Sequence, residues 1–167
     1  MKKTTRLQEL FHRKEIFVFA GGGCGLHSRL AEAAGFEAVY CSGSMSSAYI
    51  LGMPDAGLIT QTELVRNASY MANAVDIPLL SDADTGFGNA INVRRTVHEY
   101  IRGGVSGIHL EDQEFPKRCG FVKGKRVIQT DEAIGKLRSA IDAKRELDPD
   151  FVIIARTDAR GAVGGGL

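Results

Sequence analysis

The feature that most constrains this chain is an alternation. Short apolar runs are each followed by a stretch with helical periodicity. Ile16–Ala20 is an apolar run ended by Gly21-Gly22-Gly23 and reads as a buried strand. Residues 37–42 (EAVYCS), 77–81 (IPLLS), 106–110 (SGIHL) and 151–155 (FVIIA) read as four more. Between them, Leu26, Leu30 and Ala33 recur at helical spacing. Leu64, Ala68 and Met71 form the stripe of a helix opened by the capping box Thr60-Gln61-Thr62-Glu63. Val93, Val97 and Tyr100 share a face of the next helix, which stops at Gly103-Gly104. Ile134, Leu137 and Ile141 stripe a further helix, capped by Thr130 with Asp131 and Glu132 in its first turn. Strands and helices in this order make right-handed βαβ units around a parallel sheet.

An open doubly wound sheet and a (β/α)8 barrel both satisfy that order. The polar residues favour the barrel. Ser42, Asp82, Asp84, Glu111 and Arg156 stand at or just past the C-terminal ends of different strands, where a barrel assembles its active site. An open sheet would gather ligand contacts at one switch point instead. Only five units are present, and a complete barrel takes about 250 residues. The chain is therefore read as a single α/β barrel domain, 1–167, with about three βα units missing toward its C terminus. Gly164–Gly166 reads as a loop interrupted in passing.

Composition narrows the function. Lys plus Arg is 21 and Asp plus Glu is 20, a balance unlike that of a general nucleic-acid binder. No apolar run approaches the roughly 18 residues of a membrane span. A polar segment, not an apolar one, follows Met1-Lys2-Lys3, so no secretory signal is read and neither a membrane nor a nucleic acid is an expected partner. Cys24, Cys41 and Cys119 are odd in number and form no CxxC pair. That pattern suits a reduced, cytoplasmic chain better than a disulfide scaffold or a structural zinc site.

The segment most charged with chemistry is Ser81-Asp-Ala-Asp-Thr-Gly-Phe-Gly88. Strand alternation points Asp82 and Asp84 to one side, and with Glu111 they make an all-oxygen set suited to a hard divalent cation. The plainer alternative is that both aspartates cap the turn that follows. Tyr40-Cys41-Ser42-Gly43-Ser44 ends the second strand, where backbone N–H groups and hydroxyls can cradle a carboxylate. Asp55 in Met53-Pro54-Asp55 is either a site acid or a turn former. Lys117 and Arg118 precede Cys119-Gly120 in a turn-rich loop that could act as a lid. Two cations beside a cysteine favour its thiolate and suit it to proton transfer, unless it is an incidental surface residue. Arg156 at a strand mouth can fork a carboxylate, or simply pair with Asp158. His109 lies two residues before Glu111, on the same side of its strand, and reads as a barrel-lining, hydrogen-bonded histidine. Gly21–Gly25 lacks both the Walker Lys-Ser/Thr and the dinucleotide spacing.

In these segments the chain resembles the isocitrate lyase and phosphoenolpyruvate mutase superfamily. The resemblance is closest to the branch holding methylisocitrate lyase and 2,3-dimethylmalate lyase. It is carried by YCSGS at 40–44, MPD at 53–55, SDADTGFG at 81–88, HLEDQEFPKRCG at 109–120 and ARTDA at 155–159. The resemblance implies a Mg2+-dependent (Mn2+ possible) barrel of the phosphoenolpyruvate/pyruvate type acting on a small oxo or hydroxy acid. It implies Asp82 as a direct metal contact, with Asp84 and Glu111 holding metal-bound water. It further implies Tyr40, Ser42, Gly43, Ser44, Asp55, Gly120 and Arg156 around the substrate. Cys119, set with Lys117 and Arg156, matches the thiol acid of the carbon–carbon lyases. A retro-aldol lyase of the methylisocitrate or dimethylmalate class is the expectation, and homo-oligomerisation, as a tetramer, is implied with it. Rival readings are a phosphonate mutase or hydrolase, an oxaloacetate decarboxylase, and a degenerate chain serving only in assembly. Phe121 stands where the lyases usually carry His, which points to a less polar substrate such as an alkyl-substituted malate. A chain ending at Leu167 lacks later strands and the C-terminal helices that family members exchange, so low stability and little activity are expected of it.

Overall fold

A computed structural model describes residues 1–162. The loop reading of Gly164–Gly166 lies outside those residues. Five parallel strands form one sheet in the order β1-β2-β3-β4-β5, so each strand pairs with the next in sequence. They are β1 (Phe19–Gly22), β2 (Ala38–Cys41), β3 (Leu79–Asp82), β4 (Gly107–Glu111) and β5 (Val152–Arg156). The helices are α1 (Lys3–His12), α2 (Gly25–Ala33), the single turn α3 (Gly43–Ser46), α4 (Gln61–Asn73), α5 (Ala90–Arg102) and α6 (Thr130–Leu147). Strictly sequential neighbours are what a barrel wall requires, and a doubly wound sheet would reverse direction once. Among the described residues the wall is open, with β1 and β5 at its edges.

The core lies between the helices and the outer face of the sheet. Val39, Cys41, Leu79 and Ile108 project from the strands onto Leu64, Ala68, Met71, Val93, Val97 and Tyr100 of α4 and α5. The Thr60/Glu63 capping box forms as expected, with Thr60 N donating to Glu63 Oε2 at 2.8 Å. The opposite face of the sheet, which would line a barrel, carries the polar residues described below.

Three expectations need correction. The first strand starts at Phe19 and takes in Gly21 and Gly22, while Ile16 is 93% exposed. Its pairing with β2 begins only at Phe19↔Ala38, so Ile16–Val18 have no ladder to join. Two helix faces are turned. In α2 the small residues Ser28 and Ala31 face inward and Leu26 and Leu30 are exposed. In α6 Ala140 and Ala143 are buried, with Ile134 and Ile141 at the rim. Small residues let these helices approach their neighbours closely, and that closeness decides the face against side-chain size. Thr130 is the first helical residue and not the cap, which is Gln129 without a side-chain bond.

Helix α1 was not anticipated. It lies across the N-terminal ends of β3–β5. Leu7 is fully buried beneath Gly107, Thr4 and Thr5 donate to Asp148 (2.9 Å) and Asp150 (2.6 Å), and Lys3 Nζ donates to the carbonyl of Ala72 at 2.8 Å. That carbonyl belongs to the C-terminal turn of α4, the end of a helix where a cation is favoured.

Candidate active site

At the C-terminal ends of β2–β5 the polar residues meet around a cavity of 360 Å3, a volume suited to a small acid. Tyr40, Ser42, Ser44, Asp55, Asp82, Lys117, Cys119, Gly120, Phe121, Arg156 and Asp158 line it. Larger grooves of 380 and 670 Å3 lie on the helix side of the sheet, and neither holds three acids.

The aspartates arrive by a route other than strand alternation. The chain leaves β3 at Asp82, and Asp84 takes a left-handed conformation (φ 45°), which Asp tolerates better than most residues. Asp84 N then donates to Asp82 Oδ1 at 2.9 Å. The turn-capping role weighed for the aspartates is thus present at Asp82, while the Asp84 carboxylate faces the Lys117 ammonium. Asp84 O accepts from Glu111 N at 3.0 Å, which ties the β3 and β4 ends together. Asp82 Oδ2 accepts from Gly43 N at 3.3 Å. A methyl group on Gly43 would stand 2.6 Å from that oxygen, so a larger residue there would push the Asp82 carboxylate aside. With Gly43 N so engaged and Ser42 N donating to Gly22 O, the cradle at 42–44 presents chiefly the Ser42 and Ser44 side chains to the cavity.

Lys117 stands differently from its sequence-level role. Its ammonium is 3% exposed and lies 2.6 Å from Asp55 Oδ1 and 2.9 Å from Asp84 Oδ1. Burial acts against its charge, but Asp84, Asp82 and Asp55 hold it protonated well above the usual lysine range. It is therefore a fixed cation bridging two acids. Arg118 points away toward Gly124. Cys119 N donates to Asp55 O at 3.1 Å, which sets its thiol at the cavity wall. Gly120 passes over the guanidinium of Arg156, where a methyl group would come within 2.7 Å of NH2.

Arg156 NH1 is 3.2 Å from Glu111 Oε2 and NH2 is 3.1 Å from Asp158 Oδ2. Arg156 pairs with Asp158, and it also lines the cavity. His109, 8% exposed, stacks on Tyr40 with ring centroids 5.3 Å apart and bonds its hydroxyl. Burial pushes the Tyr40 phenol up and the His109 imidazole down, so both stay neutral near pH 7.

The donor set was tested against a divalent cation. Asp84 Oδ2 and Glu111 Oε1 are buried and meet no donor, while Asp84 Oδ1 and Glu111 Oε2 meet only the cations Lys117 and Arg156. Burial, reinforced by Asp82, raises the Asp84 carboxyl, and burial pushes Glu111 up to about 8. Buried, underbonded carboxylates with raised proton affinity fit a site whose charge balance includes a cation. Among the described residues no three acids, histidines or cysteines close on one point as a ready shell. Mg2+ commonly keeps several waters and takes only one or two protein carboxylates.

Gln113 was missed from the sequence, and Asp158 was read there only as a structural partner of Arg156. Gln113 is buried behind the Cys119 loop, and Asp158 holds Arg156. Their signal was position: each is a polar residue two past the end of a strand.

A sequence profile of the phosphoenolpyruvate phosphomutase family matches residues 7–164. The 2,3-dimethylmalate lyase of Eubacterium barkeri is 43% identical over 164 residues, covering 98% of this chain and 56% of that enzyme. A solved oxaloacetate acetylhydrolase, in complex with the inhibitor 3,3-difluorooxalacetate, superposes with a TM-score of 0.94 at 42% identity, over 98% of this chain and 56% of that one. A phosphonopyruvate hydrolase solved with oxalate and Mg2+ superposes with a TM-score of 0.85 at 35% identity, over 95% and 53%. The chain spans about half the length of the relatives it matches.

Proposed function

This chain belongs to the phosphoenolpyruvate phosphomutase family, and we propose that it forms the catalytic face of a carbon–carbon lyase. The substrate class is a substituted malate or citrate-type 2-hydroxy acid, of the methylisocitrate or 2,3-dimethylmalate kind. The observation that carries the reading is that the Cys119 thiol lines the same 360 Å3 cavity as Asp82 and Arg156. Similarity to a 2,3-dimethylmalate lyase supports it.

Asp82, with Asp84 and Glu111 acting through water, would hold Mg2+ (or Mn2+). When bound, the cation supplies a Lewis acid that stabilises negative charge on the oxygens of the departing oxo acid. The remaining steps belong to the chain. Arg156, held in place by Asp158 and Glu111, forks a substrate carboxylate. Ser42 and Ser44 offer hydroxyls to a second one. Tyr40 and the loop at Gly120 bound the cavity, and Lys117, pinned by Asp55 and Asp84, keeps a positive charge at its floor. Retro-aldol cleavage passes the hydroxyl proton to a carboxylate lining the cavity, turns the hydroxyl carbon into a carbonyl and leaves the bonding pair of the broken carbon–carbon bond on the second product. The Cys119 thiol delivers a proton to that carbon.

A second reading is favoured by the match to oxaloacetate acetylhydrolase: hydrolytic cleavage of a smaller oxo acid at the same face. The test is Mg2+-dependent product release from 2-methylisocitrate, isocitrate, 2,3-dimethylmalate, oxaloacetate and phosphonopyruvate, with a Cys119→Ser control. The lyase reading expects turnover of a substituted malate or citrate, reduced roughly a hundredfold or more by Cys119→Ser. Turnover confined to oxaloacetate or phosphonopyruvate and indifferent to that substitution would transfer the chain to hydrolytic or phosphonate chemistry.

A further inference from the structure

Gln113 is 1% exposed, yet it is neither core nor cavity lining. It follows β4 by two residues and sits between two elements that the proposed chemistry needs together. Its Nε2 donates to Arg118 O at 2.9 Å and to Asp158 Oδ2 at 3.0 Å, and its Oε1 accepts from Arg118 N at 3.0 Å. Both amide hydrogens are spent. Arg118 N can only donate and Arg118 O can only accept, so the backbone itself fixes which way the amide faces.

These bonds tie the loop at Arg118 to the paired ends of β4 and β5. Arg118 is the residue immediately before Cys119. Asp158 grips the Arg156 guanidinium through NH2, at 3.1 Å to Oδ2. The same Oδ2 thus accepts from Gln113 on one side and faces Arg156 on the other. The neighbouring Asp112 braces the frame from below, taking Asp158 N at 2.9 Å and the Thr157 hydroxyl at 2.6 Å. Remove the Gln113 amide and the residue before the thiol loses two of its backbone partners, while Asp158 loses a donor that orients it. Cys119 then keeps only its bond to Asp55 O and the short turn to Val122.

We propose that Gln113 is a positioning residue that locks the Cys119 loop to the Arg156–Asp158 pair, so that the thiol and the guanidinium are presented to one substrate in fixed relation. Its catalytic consequence rests on the reading of Cys119 as the proton donor. Its geometric content does not. Gln113→Glu is the sharpest probe, because it keeps the shape and replaces the donor by an acceptor facing Arg118 O and the Asp158 carboxylate. Gln113→Ala removes all three bonds.

The experiment is alkylation of the native chain by iodoacetamide, followed peptide by peptide in a mass spectrometer. Cys119 and Cys24, both partly exposed, serve as reporter and internal control. Thr4→Val, which deletes a polar bond at the opposite end of the sheet, controls for general destabilisation. Part of Cys119 is already reachable in the closed loop, so losing buried bonds of this kind, which populates the open form, raises its alkylation by roughly threefold or more. The expected result is a rise of that size at Cys119 in both Gln113 variants, with Cys24 unchanged and Thr4→Val like the parent. Where a substrate is turned over, kcat falls by more than KM rises. Equal alkylation of Cys119 in parent and Gln113 variants, or an equal rise in Thr4→Val, would overturn the proposal. Loss of Cys119→Ser sensitivity in turnover would instead remove the lyase reading and leave the locking intact.

Discussion

Replacing Glu111 by glutamine is expected to stabilise this chain above neutral pH. Its carboxylate is 2% exposed and, among the described residues, has Arg156 as its only close partner. Burial pushes it from an ordinary 4.5 up to about 8, with Asp82 and Asp84 adding to the rise and Arg156 and Lys117 opposing it. Between those pH values the folded chain keeps a proton that the unfolded chain has lost. The stability linked to that proton is complete below about pH 4.5 and is lost as pH rises through about 8. At about 1.4 kcal/mol per pH unit, the gap sets a ceiling of about 5 kcal/mol. The site borders a cavity where the effective dielectric is high, so roughly half of that is expected. In a chain of this size about 1 kcal/mol moves Tm by roughly 2–4 °C. The assay is thermal unfolding by circular dichroism at pH 5, 6.5 and 8 in chelator, parent against Glu111→Gln. The two should coincide at pH 5, and the variant should melt higher at pH 8. Added Mg2+ should then raise the parent and not the variant, by about 2.7 kcal/mol at a hundred times Kd. Parallel melting curves across pH, or an equal Mg2+ response in both proteins, would refute this account of the carboxylate cluster.

Two further outcomes follow from the packing around Asp82. Gly43→Ala should leave metal-free stability within about 1 kcal/mol and abolish most of the Mg2+-dependent Tm rise, because the new methyl displaces Asp82 Oδ2; an undiminished rise would separate Asp82 from the cation. Tyr100→Phe should cost about 0.5–1.5 kcal/mol in urea unfolding, since the buried hydroxyl donates to Asp82 O at 2.7 Å and its loss leaves that carbonyl the Ser81 hydroxyl at 2.9 Å. No measurable change would show that the Ser81 hydroxyl alone satisfies the carbonyl.

How much of this was legible in the sequence depended on which force placed each residue. Leu64, Ala68, Met71, Val93, Val97 and Tyr100 were readable because amphipathic spacing and burial agree in α4 and α5. The strand ends were displaced because apolar runs mark where a strand is greasy, not where it pairs. Asp82, Glu111 and Arg156 are polar and yet sit in the ladder, Glu111 opposite Arg156. Leu26 and Ile134 misled because a helix packed closely on its neighbours buries its small residues. The acids and Arg156 could be named from their places at the strand mouths, and Cys119 from the two cations before it and the family resemblance. The bond partners of Gln113 and the double grip on Lys117 could not, because they depend on how separate loops fold back on one another.

The placement of α1 has a consequence for the order in which the chain can assemble. Each strand pairs with its immediate successor, so the sheet can grow one unit at a time from short loop closures. Helix α1 is the exception. Its partners are Gly107, Asp148 and Asp150, more than a hundred residues downstream, along with the carbonyls at the end of α4. Helix α1 therefore cannot complete its burial until β5 is nearly made. Until then Leu7 and Leu10 stay in water and the lower edge of the growing wall is uncovered. Docking of α1 is thus a late, long-range step that turns a string of locally stable units into one cooperative body.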